Sequence, residues 1–161
     1  MVKTETPSVR SFEPAARFRT MMRIGNAVMA PLLRSRMGGR MHDLALLSYT
    51  GRRTGRRYET PVGYHAFEGD GVVLTASSWR VNMRGGADVE IVHEGRRTPM
   101  HAVLIEDPEE VARVYGALLE RVGVDKATRI GLKVEGDRMP THDELVQAIG
   151  GRRSVVRLTP R

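Results

Sequence analysis

The sequence predicts an α+β fold built on an antiparallel sheet, and three observations carry that expectation. Short apolar-alternating runs are separated by the turn signals Glu68-Gly69-Asp70-Gly71 and Glu94-Gly95, which is the pattern of hairpins. Helical stripes sit towards the ends of the chain, outside the run of strands, as in proteins that segregate helices from an antiparallel sheet. The chain also carries 17 glycines and 8 prolines, a content that suits a turn-rich fold better than a helical bundle.

Taken in order, Met1–Pro14 is polar and aperiodic and is expected to be a flexible tail. Residues 15–161 are then left as a single domain. From Ala15 to about Arg36 the pattern is helical: Phe18, Met21, Met22, Gly25, Val28, Met29 and Leu32 share one stripe. Arg19, Arg23, Asn26 and Arg34 lie opposite, Pro31 should kink the helix, and Gly38-Gly39 should end it. A basic amphipathic helix of this kind can lie on an anionic membrane surface, although packing on its own domain is the commoner use.

Leu44, Leu46 and Leu47 mark a strand buried on both faces. A second strand is expected from Tyr58 to Phe67, and its partner from Val72 to Ala76 stops just before Trp79, the only tryptophan. Asp88–Glu94 and Arg97–Glu106 read as another hairpin. Asp107-Pro108-Glu109-Glu110 is a helix start: a capping aspartate, a proline for the first turn, and two carboxylates at the positive end of the dipole. Val111, Val114, Tyr115, Leu118 and Val122 continue it to Gly123, whereas Val124–Asp137 is ambiguous. Thr141-His142-Asp143-Glu144 has the capping-box pattern for a short helix ending at Gly150, and Ser154–Leu158 should close the sheet. The count is about five or six strands.

With 161 residues and 40% hydrophobic content, the chain can bury one real core. It has no cysteine, which excludes disulfides and thiolate metal sites and is compatible with a reducing compartment. No signal-peptide pattern and no run of about 20 apolar residues occurs, so a cytoplasmic location is expected, with peripheral membrane contact through residues 15–36 left open. The five histidines have no metal-ligand spacing, and GxSxG, GxGxxG and P-loop patterns are missing. Such a chain leaves its reaction, if it has one, to a cofactor.

The stretch richest in chemistry is Leu44–Tyr64. Arg52, Arg53, Arg56 and Arg57 surround Thr54 and Gly55 in a turn between two strands. Guanidinium groups fork onto phosphate or carboxylate oxygens, and glycines let backbone N–H groups approach them. A hairpin turn with merely solvated arginines accounts for these residues equally well.

LLSYTGRRTGRRYETPVGY, followed by VVLTASSW and WRVNM, resembles the signature of the deazaflavin (F420)-dependent nitroreductase and quinone reductase family over roughly Leu44–Glu120. The resemblance implies a split β-barrel like that of FMN-binding flavin reductases. It also implies F420 as cofactor, whose tail carries a phosphate and a chain of glutamates. Carried over by position, the tail phosphate falls to Arg52, Arg53 and Thr54. The strand along the cofactor is Tyr58, Thr60, Pro61, Val62 and Gly63. The loop against the deazaflavin ring is Ala76, Ser77 and Ser78, and Trp79 and Asn82 match the W-x-x-N element. A lone tryptophan beside a core is as readily structural.

The implied reaction is hydride transfer to an electron-poor small molecule of quinone, nitroaromatic or enone type, with Ser77 or Ser78 as the candidate proton donor. FMN is the weaker cofactor candidate, because its tail has one phosphate and no glutamates. Two departures from the family stand out. ASSW runs straight into tryptophan where better-known members have a longer loop. Tyr115 is the sole tyrosine where they offer several. Two other readings stay open: a non-catalytic (deaza)flavin-binding protein, and, more distantly, a nucleic-acid binder suggested by the +7 charge. Against the latter, aromatic residues make up only 5% of the chain. Oligomeric state is not legible.

Overall fold

A computed structural model describes residues 9–11 and 28–161, and it divides into two compact units. One comprises the strand Val9–Ser11 together with Ile105–Val155, and the other runs up to Leu104 and adds Val156–Arg161. Most of the expected tail, and the expected N-terminal helix with its membrane-facing role as far as residue 27, lie outside the described residues. Val9–Ser11, inside the expected tail, forms strand β1.

The second of these units holds the sheet. Its first described element is helical over residues 28–34 (α1), followed by a 3-10 turn at Arg36–Arg40. The helix ends earlier than the glycine pair suggests. The Ser35 hydroxyl donates to the Leu32 carbonyl at 2.7 Å, and the Gly38 N–H donates to the Ser35 carbonyl at 3.0 Å. A Cβ on Gly38 would lie 2.3 Å from the Leu33 carbonyl oxygen, so the chain can fold back over the helix end only with glycine there.

The strands that follow are β2 (Leu44–Thr50), β3 (Arg57–Gly63), β4 (His65–Phe67), β5 (Asp70–Thr75), β6 (Ala87–His93), β7 (Arg96–Ile105) and, later, β9 (Ser154–Pro160). They form one antiparallel sheet in the order β3-β2-β6-β7-β9-β5-β4. The two-residue hairpin turns place Glu68 and Gly69 at φ 49° and 83°, and Glu94 and Gly95 at φ 50° and 74°. Two left-handed residues in succession match the twist of the flanking strands.

The sheet cannot be flat. β3 and β4 are its opposite borders, yet only Tyr64 separates them in sequence. Seven strands at about 4.8 Å spacing would put the borders almost 30 Å apart, whereas one intervening residue spans at most about 7.6 Å. The sheet therefore curls until β3 lies against β5, giving a split barrel. The expected single strand Tyr58–Phe67 is accordingly two strands. Tyr64, at the break, donates its N–H to the Asp43 carbonyl at 3.0 Å. Tyr64 preserves the period-2 pattern, so the sequence carries no mark of the change of partner.

Ala45, Leu47, Val62, Ile91, Met100 and Leu158 fill the barrel. Leu46, on the outer face of β2, packs with Val92 and with Leu33 of α1. Both faces of β2 are thus buried, as its apolar run predicts.

The first-named unit contains α2 (Pro108–Val122), a 3-10 segment (Val124–Ile130), β8 (Leu132–Val134) and α3 (His142–Ile149), with β1 paired antiparallel to β8. Asp107 caps α2 by accepting the Glu110 N–H at 3.0 Å, and Pro108 takes its first position. Thr141 and Glu144 complete both bonds of a capping box. Val111, Val114, Tyr115 and Leu118 form the buried stripe of α2. The described strands number nine against the five or six expected. The added ones are the three-residue pieces β1, β4 and β8, too short to show a period of their own. Among the described residues no helix is long and apolar enough to cross a membrane.

Candidate functional site

The basic turn between β2 and β3 is tightly built. The Gly51 N–H donates to the Arg56 carbonyl at 2.8 Å, and the Gly55 N–H donates to the Gly51 carbonyl at 2.8 Å. The Thr54 hydroxyl accepts the Arg56 N–H at 3.2 Å and shares a 3.0 Å hydrogen bond with the Tyr58 hydroxyl. A Cβ on Gly51 would sit 2.7 Å from both Thr54 Oγ1 and Tyr58 Cε2, so the turn closes over a space that only glycine leaves open. Gly55, at φ 65°, supplies the left-handed residue.

The four arginines of the turn divide into two kinds. Arg57 pairs with Glu90 at 3.0 Å, a carboxylate that also takes Arg97 at 2.5 Å. Arg52 donates its guanidinium to the Arg84 carbonyl and its backbone N–H to Asn82 Oδ1 at 2.9 Å. Arg53 and Arg56 are exposed, and neither side chain has a hydrogen bond or ion pair among the described residues. Arg53 and Arg56 therefore flank the turn with neither bond nor counter-charge, and Arg52, bonded to a neutral carbonyl, keeps its charge as well, an arrangement suited to an anionic ligand.

Along β3 the predicted residues pass from rim to interior. Tyr58 is exposed, Thr60, Pro61 and Gly63 are half-buried, and Val62 is buried in the barrel core. The Val62 side chain is committed to packing, leaving its backbone as what it could present to a ligand. Pro61 is tolerated because β3 is a border strand, where a missing N–H breaks no ladder bond.

Tyr49 stands opposite Tyr58 in the β2–β3 register. Its ring stacks on Tyr58 with centroids 5.6 Å apart and meets Trp79 at 5.9 Å. Tyr49, Tyr58 and Trp79 thus make a continuous aromatic surface, with Trp79 half-buried against the barrel core. Burial, and secondarily the neighbouring Tyr58, push the Tyr49 hydroxyl above the ordinary tyrosine range. Sequence reasoning missed Tyr49. Continuing the Ala45, Leu47 alternation by one step, and folding it back on Tyr58, would have found it.

The small-residue loop follows β5. Ala76, Ser77 and Ser78 are all exposed, and neither serine hydroxyl is engaged among the described residues. The backbone of the loop is held instead. The Ser77 N–H donates to Thr75 Oγ1 at 3.0 Å, and Arg80 Nη1 donates to the carbonyls of Ala76 at 2.6 Å and Ser77 at 2.9 Å. Arg80 was not singled out from the sequence, though its spacing of three and four from those residues fits a short helical turn. Such a turn, a 3-10 helix, spans Ser78–Met83, and within it Asn82 Nδ2 donates to the Trp79 carbonyl at 2.8 Å.

Tyr115, the one tyrosine of α2, is fully buried, and burial raises its hydroxyl above the ordinary range. It is a core residue of its own unit.

The described residues thus form a split barrel of curled antiparallel strands that carries a cationic turn, three neighbouring aromatic rings and a hydroxyl-bearing loop. Residues 19–134 match the family model described as F420H(2)-dependent quinone reductase, well over half of the chain. The chain belongs to that family. No curated protein matches the sequence significantly. Among solved structures, the chain is similar to a conserved hypothetical protein of Mycobacterium tuberculosis, with 21% identity, TM-score 0.46, 84% of this chain and 79% of that one covered. It is also similar to a pyridoxamine 5'-phosphate oxidase-related, FMN-binding protein of Nostoc punctiforme, with 13% identity, TM-score 0.49 and 92% and 83% covered. A structure titled F420 Reductase is 10% identical, with TM-score 0.39 and 74% and 87% covered.

Proposed function

We propose that this chain binds F420 across the basic turn and the 76–79 loop and reduces an electron-poor small molecule, quinones foremost, with nitroaromatics and enones as further acceptors. The observation that carries the reading is the pair of unengaged guanidiniums, Arg53 and Arg56, on a turn braced by the Gly51–Arg56, Gly55–Gly51 and Arg56–Thr54 hydrogen bonds. A tail with a phosphate and several glutamates is the anion such a turn fits, and the single phosphate of FMN fits it less fully. The reduced deazaflavin, when bound, supplies the hydride.

The residues of the chain supply the rest. Arg53 and Arg56 hold the tail, while Thr54, already bonded to Tyr58 and the Arg56 N–H, keeps the turn in shape beside it. Tyr58, Thr60 and the backbone of Pro61, Val62 and Gly63 form the strand along which the ligand lies. Trp79 and Tyr49, half-buried and tilted by 31° to each other, give an apolar wall that excludes water. Ala76 leaves room for a ring, and Ser77 or Ser78 donates a proton to the reduced acceptor oxygen. Tyr115 takes no part, being wholly buried.

Equilibrium titration tests this, using F420 of full and shortened glutamate tails, and FMN, at two salt concentrations. The expected order is full-length F420 tightest, with affinity falling as the tail shortens or salt rises. The Arg53→Ala/Arg56→Ala pair should weaken full-length binding by about 100-fold, on the order of 3 kcal/mol. In quinone turnover, Ser77→Ala/Ser78→Ala should lower kcat by about 100-fold with binding little changed. Absence of F420 binding, or equal binding of FMN and F420 at both salt concentrations, would sink the proposal.

A further inference from the structure

Asn82 connects two segments that are 30 residues apart in sequence. Its Oδ1 accepts the Arg52 backbone N–H at 2.9 Å, and its Nδ2 donates to the Trp79 carbonyl at 2.8 Å. One partner can only donate and the other can only accept, so the amide has a single satisfactory orientation. A second link lies beside the first, where the Arg52 guanidinium reaches the Arg84 carbonyl. The chain then turns away through Gly85 and Gly86 at φ 72° and 92°. The 3-10 segment that carries Asn82 is anchored in turn, since Met83 is fully buried in the barrel core and Trp79 packs against it.

Arg52 thus spends both its backbone donor and a guanidinium donor inside the protein. Its remaining guanidinium donors and its charge are still open to an anion, but the Arg84 carbonyl and the Asn82 amide fix where that side chain and its backbone stand. From this geometry we infer that Asn82 and Arg52 are positioning residues: they fix the distance and angle between the basic turn and the Ala76–Trp79 loop, so that one long ligand meets both at once. This rests on the functional reading above and deepens it. A ligand bridging two half-sites gains from the second contact only as far as the half-sites are held at the right separation. Displacement of a supporting shell by about 1 Å is enough to forfeit much of that gain.

The roles separate experimentally by comparing ligand and fragments on the full-length protein. The probes are full F420, its chromophore lacking phosphate and tail, and inorganic phosphate. Asn82→Ala should weaken F420 by about tenfold or more while leaving the affinities of chromophore and phosphate within about twofold. Hydrogen exchange, followed without ligand, should show the Arg52 amide exchanging faster in Asn82→Ala, with the β2 and β6 amides unchanged. Arg52→Lys, which keeps the positive charge but loses the guanidinium that reaches the Arg84 carbonyl, provides the same test if Asn82→Ala does not fold, with a smaller loss of F420 affinity and unaltered phosphate affinity.

Loss of chromophore binding in Asn82→Ala, or of phosphate binding in the charge-conserving Arg52→Lys, would make these residues direct ligands and overturn the inference. So would an unchanged Arg52 exchange rate in Asn82→Ala. Failure of the wild-type protein to bind F420 at all would overturn the functional reading, and with it the ligand that Asn82 and Arg52 are said to position. Normal wild-type binding with no effect of either variant would overturn the inference alone.

Discussion

Gly51 is where a single added methyl should do most local damage. Its Cβ would press on Thr54 Oγ1 and on the Tyr58 ring, both engaged with each other at 3.0 Å. Gly51→Ala is expected to destabilise the protein by about 1–3 kcal/mol, the usual range for overpacking a filled site, and to weaken F420 binding because Thr54 is displaced. Urea denaturation beside the titration checks both effects, and wild-type stability and binding would refute the tight-turn reading. At this scale the sequence was informative about residue type and less so about role. TGRRTGRR identified a cationic turn, because side-chain charge is visible in the letters. It could not show that Arg52 is tied to the Arg84 carbonyl and Arg57 paired with Glu90, since those partners arrive from strands and turns 32 and 33 residues further along. Tyr49 continues a legible strand alternation, but its contact with Trp79, 30 residues further along, is not visible in the letters.

The elements were legible where their ends are chemically marked. Asp107-Pro108 and Thr141-x-x-Glu144 announced α2 and α3, and Gly123 and Gly150 closed them, because capping bonds are made by neighbours in sequence. Thr141→Ala should cost about 1 kcal/mol, the typical value of an N-cap. The Glu144 carboxylate lies below its ordinary range, chiefly because the Thr141 N–H donates to it and then because Arg138 does. A depressed carboxylate contributes stability above its unfolded pKa and loses it as pH falls through the folded value. Glu144→Gln should therefore lessen the fall in stability between pH 7 and about pH 3, a window set by the ordinary carboxylate range. Denaturation midpoints at the two pH values measure this, and an identical fall in wild type and variant would count against it. Elements marked only by tertiary contact were not legible. β4 and β8 are strands because a neighbour pairs with them, and three residues carry no period of their own.

For the sheet as a whole, the sequence supported antiparallel hairpins and left open whether they closed. Closure depends on Tyr64, where the chain leaves one border and enters the other. Gly71 lies beneath the Tyr64 ring, and a Cβ there would come within 2.3 Å of its hydroxyl. Gly71→Ala is expected to cost about 1–3 kcal/mol by the same overpacking logic. In a Tyr64→Ala background most of that cost should vanish, leaving a coupling of about 1 kcal/mol or more in a double-mutant cycle. Simple additivity would mean that the ring does not close over Gly71. The +7 charge, by contrast, was visible from composition but pointed to nucleic acid as readily as to a cofactor, because net charge says nothing of where cations stand unpaired.

The Tyr64 joint has a mechanical consequence. In an open sheet a border strand can slide by two residues and keep its side chains on the correct faces. Here one border is riveted to the other through a single residue, so sliding β3 along β2 would drag β4 along β5 by the same amount. The hoop has no slack: its strand stagger can change only everywhere together, which leaves the whole barrel one permitted setting.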